Sequence, residues 1–321
     1  MSIKVLKDLW NQFFFKEINP EIYGIFRIVF GILILFNFIF ELNNLNDFYG
    51  PNAIISLESV KGQFQYPHFN LFNLLAPTET SLYIITTIYG IGVIGFLLGF
   101  FSNFSALLAF MGMMSFHHRN IWLLSSCDLL MRLLLLILIF APIGEALSVD
   151  NIIRRIRGKI SKEKVSYWSM RLIQIHIAVL YVSTVIAKIK GDTWFDGTAL
   201  YYASRLEDML RFPTPFILDN IWSIKILTWG TLILEFALGT FIWFKEFRYP
   251  LLIIGVIFHL GIEYMMTIPF FEILMIVSLI SFVYPEDVYN FCKVKFENMK
   301  NGIISSQVDQ KVKNFFLKVI G

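Results

Sequence analysis

Long, continuously apolar runs constrain this chain more than any other feature. They fall at residues 22–42, 81–100, 103–116, 129–147, 172–187, 226–244, 250–266 and 270–284. Inside hydrocarbon every backbone N–H and C=O must be bonded within the protein, so only helices or closed barrels cross a bilayer. Barrel strands alternate apolar and polar residues over about 10 positions. These runs do not alternate and most are longer. The fold class is therefore an all-α, polytopic helical membrane protein of about eight transmembrane helices. Only 16% of the residues are charged and 56% are hydrophobic, against about 25% charged in a typical soluble domain.

The charge distribution predicts an orientation. With the N-terminus in the cytoplasm, alternating segments place eighteen of the 27 Lys and Arg inside and seven outside, with Arg27 and Arg132 within spans. Cytoplasmic loops carry the excess of Lys and Arg, so eight spans with both termini cytoplasmic are expected. The organisation reads as a cytoplasmic segment 1–21, a membrane domain 22–284 and a basic cytoplasmic tail 285–321. The third run is counted as a span but is short against about 20 residues, which leaves a partly re-entrant segment open as an alternative. The last two runs, separated by Thr267, Ile268 and Pro269, are expected to form a tight helical hairpin.

The first run lacks a small-residue cleavage pattern and reads as a retained helix rather than a leader. The basic stretch 154–164 sits at a membrane end, where it would meet anionic lipid headgroups, and nucleic-acid binding is not expected. Cys127 and Cys292 fall on opposite sides and form no CxxC motif, which argues against a thiol relay.

Polar residues within apolar runs carry the functional information, because a charge there is usually paired or functional. Asp128 and Arg132 stand i,i+4 and read as a structural ion pair. Gln174, Tyr181 and Lys188, seven apart, share one face of the fifth run. They form either a helix-facing polar stripe with a snorkelling lysine or a functional stripe. His259 and Glu263 stand i,i+4 in the seventh run, with Glu235 in the sixth. They read as a proton relay or as a hydrogen-bonded pair joining helices. Arg27 calls for a carboxylate or water. His117 and His118 are adjacent and point about 100° apart on a helix. HxxxH and HExxH are both absent, so no metal is expected. After Lys188 a loop carrying Trp194 and Gly197 leads into an amphipathic stretch, 198–210, expected as an interfacial helix with a Trp anchor.

Taken in order, several of these residues form a pattern. It comprises Phe26-Arg27-Ile28, Phe48-Tyr49-Gly50, His118-Arg119-Asn120, Asp128 with Arg132, Lys188 with Trp194 and Gly197, Glu235, Arg248-Tyr249-Pro250, Phe258-His259, and the stretch 270–275. Over residues 23–285 the chain resembles the horizontally transferred transmembrane (HTTM) family, which includes the vitamin K-dependent γ-carboxylase. The resemblance implies a quinol-dependent membrane enzyme acting at the exoplasmic face on a peptide, protein or small substrate, with a reduced quinone of the vitamin K or menaquinol type as cofactor. In the carboxylase a lysine at this place is the base toward the hydroquinone, and a glutamate side chain is carboxylated. Carried over, this makes Lys188 the candidate base, and the i,i+4 spacing adds His259 and Glu263 to the catalytic candidates. Trp194, Gly197, Tyr181, Arg119, Asn120 and Glu235 become the substrate or quinol-binding candidates. The 37 residues after Tyr284 show no strand pattern, so the carboxylase's large strand-rich substrate portion is not expected here. Two other classes remain open: a non-catalytic membrane partner in peptide maturation or export, and a transporter. Inverted repeats, the mark of many transporters, are not evident. Membrane lipid is the one partner common to all three.

Overall fold

The computed structural model describes residues 2–63, 69–160 and 162–305. The part of the expected basic tail beyond residue 305 lies outside the described residues. Along the chain run α1 (Ile3–Phe14), the two-residue strand Glu17–Ile18, α2 (Glu21–Leu42), α3 (Leu45–Tyr49), α4 (Leu57–Lys61), α5 (Glu79–Leu98), α6 (Ser102–Arg119), α7 (Ser126–Ile139) and α8 (Val149–Ile156). The strand Val165–Ser166 follows, then α9 (Trp168–Lys188), α10 (Asp192–Phe195), α11 (Ala199–Ala203), α12 (Ile221–Thr240), α13 (Lys245–Met265), α14 (Phe271–Leu279) and α15 (Pro285–Ser305). The two short strands pair antiparallel and are the one sheet among the described residues. The fold is all-α.

Among the described residues five helices are long and apolar enough to cross a membrane: Glu21–Leu42, Glu79–Leu98, Trp168–Lys188, Ile221–Trp243 and Lys245–Met265. Three of the eight expected spans are weaker. α6 has 18 residues but ends on His117, His118 and Arg119. α7 has only 14 residues and stops at Ile139, short of the expected 147. Pro142 accounts for that, since it pushes the residue before it out of the helical region. The stretch Phe271–Phe282 is apolar but also short. α13 starts earlier than its expected first residue, Pro250, which lies inside it. Arg248 donates to the carbonyls of Ile242 and Trp243 and ties down this early start.

The molecule divides into two compact units. The first holds the described residues up to Met170 and those from Tyr284 onward. Here α2 packs on α5, α5 on α6, α6 on α7, and α15 on α2. Glycine sets the close α5–α6 approach: a Cβ on Gly92 would stand 2.5 Å from the Ala109 nitrogen. Small residues let membrane helices pack in this way. Arg27, fully buried, bonds to backbone carbonyls and to no carboxylate among the described residues. Its Nη1 donates to Phe96 O at 2.9 Å and Leu97 O at 2.6 Å, and its Nη2 to Leu147 O at 2.6 Å. The guanidinium thus caps carbonyls at the C-terminal end of α5, where the helix dipole is negative.

The second unit is Arg171–Val283. α11 packs on α12, α12 on α13, and α13 on α14 as the expected hairpin. The stretch 198–210 does not form one amphipathic helix. α11 ends at Ala203, and a 3-10 turn follows at Glu207–Met209. The backbone then bonds to the end of α13 instead of to itself: Arg211 N donates to Met265 O at 3.0 Å and Thr267 N to Met209 O at 2.7 Å.

Candidate functional site

The polar stripe of α9 faces inward. Gln174 and Tyr181 are buried, and the Lys188 side chain is 25% exposed. Gln174 Nε2 donates to Ser281 O, and its Oε1 accepts from Arg171. At the far end, Lys188 Nζ forms an ion pair with Glu235 Oε1 from α12. The same ammonium stands 5.0 Å from the centre of the Trp194 ring. The other Glu235 oxygen, Oε2, is buried without a hydrogen-bond partner among the described residues. The structure therefore brings together three of the residues singled out from sequence: Lys188, Glu235 and Trp194.

Two helical turns back along α9, the Tyr181 hydroxyl lies 2.7 Å from His259 Nε2, and His259 Nδ1 lies 2.5 Å from Glu272 Oε2. All three side chains are buried. With Glu272 ionised, it accepts only, and Nδ1 is the donor to it. In the neutral ring Nε2 is then the acceptor, and Tyr181 donates to it. The expected His259–Glu263 pair is not formed. Glu263 lies in the last turn of α13, where the 209–211 strap docks, and it pairs with Arg211 at 2.7 Å. Glu272 is the partner that sequence reasoning did not assign. An acidic residue in an otherwise apolar run was the available signal.

Gly197 has a positive φ of 83°, and a Cβ there would stand 2.9 Å from Trp229. Its place in the loop is set by backbone conformation and packing. Just before it, Asp196 Oδ1 accepts from Thr198 N at 2.8 Å and from Thr198 Oγ1 at 2.6 Å. These hydrogen bonds, the side-chain one foremost, hold the exposed Asp196 carboxyl below the usual range.

Arg119, Asn120, Asp128 and Arg132 belong to the first unit. Arg119 donates to Gly50 O at 2.7 Å and Ile55 O at 3.1 Å, and Asn120 Nδ2 donates to Phe48 O at 3.3 Å. They secure the segment that carries Phe48-Tyr49-Gly50, which explains why both motifs occur together. Asp128 and Arg132 form no ion pair among the described residues. Asp128 is the third residue of α7 and folds back into a capping box with Ser125, whose N and Oγ donate to it at 2.8 Å. Arg132 Nη1 instead points to His118 Nε2 at 3.4 Å. Among the described residues no group of three His, Cys, Asp or Glu could hold a metal ion.

Apolar spanning helices with a few buried, mutually bonded polar side chains define an integral membrane protein. The family model of the HTTM domain matches residues 15–286, and the chain belongs to that family. It is similar over 157 residues, 25% identical, to the sporulation-delaying protein SdpB of Bacillus subtilis (strain 168), covering 46% of this chain and 48% of that one. It is also similar over 143 residues, 31% identical, to the uncharacterized protein YitO of the same organism, covering 42% of this chain and 45% of YitO. Each match thus spans about half the length of the curated relative. No solved structure matches the chain.

Proposed function

We propose that the protein is a quinol-dependent enzyme of a bacterial inner membrane, with Lys188 as its general base. Its substrate is a peptide or small molecule met at the exoplasmic face. The observation that carries this reading is the joint placement of Lys188, Glu235 and Trp194. A reduced quinone, when bound, supplies an acidic hydroxyl and two reducing electrons. Trp194 offers an aromatic face to such a ring, and the unpartnered Glu235 Oε2 offers an acceptor.

A base must first present a lone pair. Lys188 reaches that state by passing a proton to Glu235 Oε1: the N–H bond breaks, an O–H bond forms, and a neutral amine faces a neutral acid. The pair has no net charge before or after, so the transfer leaves no uncompensated buried charge. The Trp194 loop, fixed by the Asp196 turn and Gly197, keeps the amine aimed. Tyr181, His259 and Glu272 form a second hydrogen-bonded line, running from α9 across α13 to α14, and hold a proton at the Tyr181 hydroxyl.

The test is extraction. Protein purified in mild detergent from quinone-containing membranes, then extracted with organic solvent, should yield quinone in near-stoichiometric amount, and Trp194→Ala should lose it. Repeated absence from the wild-type protein contradicts the reading.

A second reading is a non-catalytic partner in peptide maturation or export. It is favoured by the double engagement of the Lys188 ammonium, by a carboxylate and a ring, as in a structural tie. Full function of Lys188→Ala cells, with co-purification of a neighbouring gene product, would establish it.

A further inference from the structure

The turn joining α5 to α6 in the first unit is built in an uncommon way. Phe101, a non-glycine residue, has a φ of 45°, in the left-handed region that disfavours a side-chain-bearing residue. Asp150 holds the turn in place. Its Oδ1 accepts from Phe101 N at 2.8 Å, and its Oδ2 accepts from Ser102 N at 2.8 Å and Ser102 Oγ at 2.6 Å. The turn presents Phe100 and Phe101, edge to face at 4.7 Å, with Phe104 one turn on. All three are exposed, Phe101 by 64%. Strain maintained in order to expose aromatic side chains calls for an occupant.

The turn forms one wall of an open groove of about 550 Å³, and Ile153, Arg154 and Arg157 of the α8 region form the other. The charges in the groove do not cancel. Asp150 is saturated by the turn it caps, and Glu145 pairs with Arg154 at 3.0 Å. Arg157 is exposed, and its side chain makes no hydrogen bond or ion pair among the described residues. Arg155 and Lys159 lie beside it in sequence. The groove is therefore cationic on one wall and aromatic on the other. Leading away from it along α5 is an exposed apolar stripe, Ile84, Ile88, Ile91, Ile94 and Leu98. α5 is long enough to cross the membrane, so its end, where the groove lies, falls at headgroup level.

We infer that this groove is a specific site for one anionic phospholipid. The phosphate sits against Arg157, the glycerol region against Phe100 and Phe101, and an acyl chain along the α5 stripe. A zwitterionic lipid brings its own cation to the phosphate and loses most of the attraction. A free phosphate gains nothing from the aromatic wall or the stripe.

The experiment is native mass spectrometry of the full chain, exchanged from detergent into phosphatidylcholine with graded phosphatidylglycerol. Wild type should retain one phosphatidylglycerol in preference to phosphatidylcholine. Arg157→Gln, an exposed change that leaves the fold intact, should weaken that retention about fivefold. Phe101→Asn tolerates the left-handed turn, so it should weaken retention while leaving thermal stability unchanged or raised. Equal retention by Arg157→Gln and wild type overturns the site. Displacement of the lipid by millimolar inorganic phosphate, with no dependence on acyl chains, overturns the lipid as its ligand. Lower stability of Phe101→Asn with unchanged retention overturns the role of the strained turn.

Discussion

Replacing Lys188 or Glu235 separately and together measures how the site is held. Lys188→Met leaves a Glu235 carboxylate whose side chain is only 9% exposed without its counter-ion. Removing one partner of a buried pair costs about 3–5 kcal/mol. A quarter of the Lys188 side chain is open, which screens the pair and puts the expected cost near the lower end, at about 3 kcal/mol. That is roughly a hundredfold in the folding equilibrium. Glu235→Gln leaves an ammonium that keeps its Trp194 ring, a contact of roughly 0.5–2 kcal/mol, so about 1–2 kcal/mol is expected. The double variant leaves no orphan charge and should lose no more than about 2 kcal/mol. The coupling is therefore about 2–3 kcal/mol, well beyond the roughly 0.5 kcal/mol seen for independent sites. Denaturant unfolding of the four proteins in one detergent, followed by circular dichroism, gives this number directly. Strict additivity, with the double variant losing the sum of the singles, would refute the claim that Lys188 and Glu235 share a poorly solvated site.

Four further outcomes follow from the geometry. Gly197→Ala forces a Cβ onto a positive φ and to within 2.9 Å of Trp229, so stability should fall by roughly 1–3 kcal/mol with a change in tryptophan fluorescence. Arg27→Lys replaces a fork that meets three carbonyls with a point charge. It should cost about 2–3 kcal/mol in unfolding measurements. Glu272→Gln should shift the ¹⁵N resonances of the His259 ring strongly while Glu263→Gln leaves them in place, because only Glu272 bonds to it. The lowered Asp196 carboxyl gives the loop a contribution present above the unfolded carboxylate value of about 3.9. This contribution is lost as pH falls through the lower folded value. Thr198→Ala should raise the Asp196 titration midpoint in NMR.

Much of the fold was legible because hydrocarbon tolerates so few backbone solutions. The 22–42 run matches α2 almost to the residue, since nothing in it competes with a helix. The 129–147 run overshot α7 because apolarity continues past Pro142 while helical geometry does not. The seven-residue spacing of Gln174, Tyr181 and Lys188 was readable because α9 is regular, and all three face inward. Partner choice was less readable. His259 and Glu263 satisfy the local i,i+4 rule, yet the hairpin brings Glu272 closer and the strap supplies Arg211 to Glu263. Asp128 and Arg132 satisfy the same rule, and the capping requirement at the start of α7 prevails. For His259 and Glu263 long-range packing supplied partners that local spacing does not offer, and for Asp128 a local cap displaced the i,i+4 pair. Arg27 shows the same limit: its partners are backbone carbonyls, which no side-chain pattern reveals.

The central claim is that Lys188 is the base of a quinol site. The most direct measurement is quinol consumption in air, with dioxygen as oxidant, by protein in lipid nanodiscs, comparing wild type with Lys188→Met at equal folded fraction. A positioned general base contributes roughly 10²–10⁴-fold. Lys188→Met should therefore consume quinol at least about a hundredfold more slowly, with the quinone still recovered on extraction. Consumption at the wild-type rate by Lys188→Met would contradict the account.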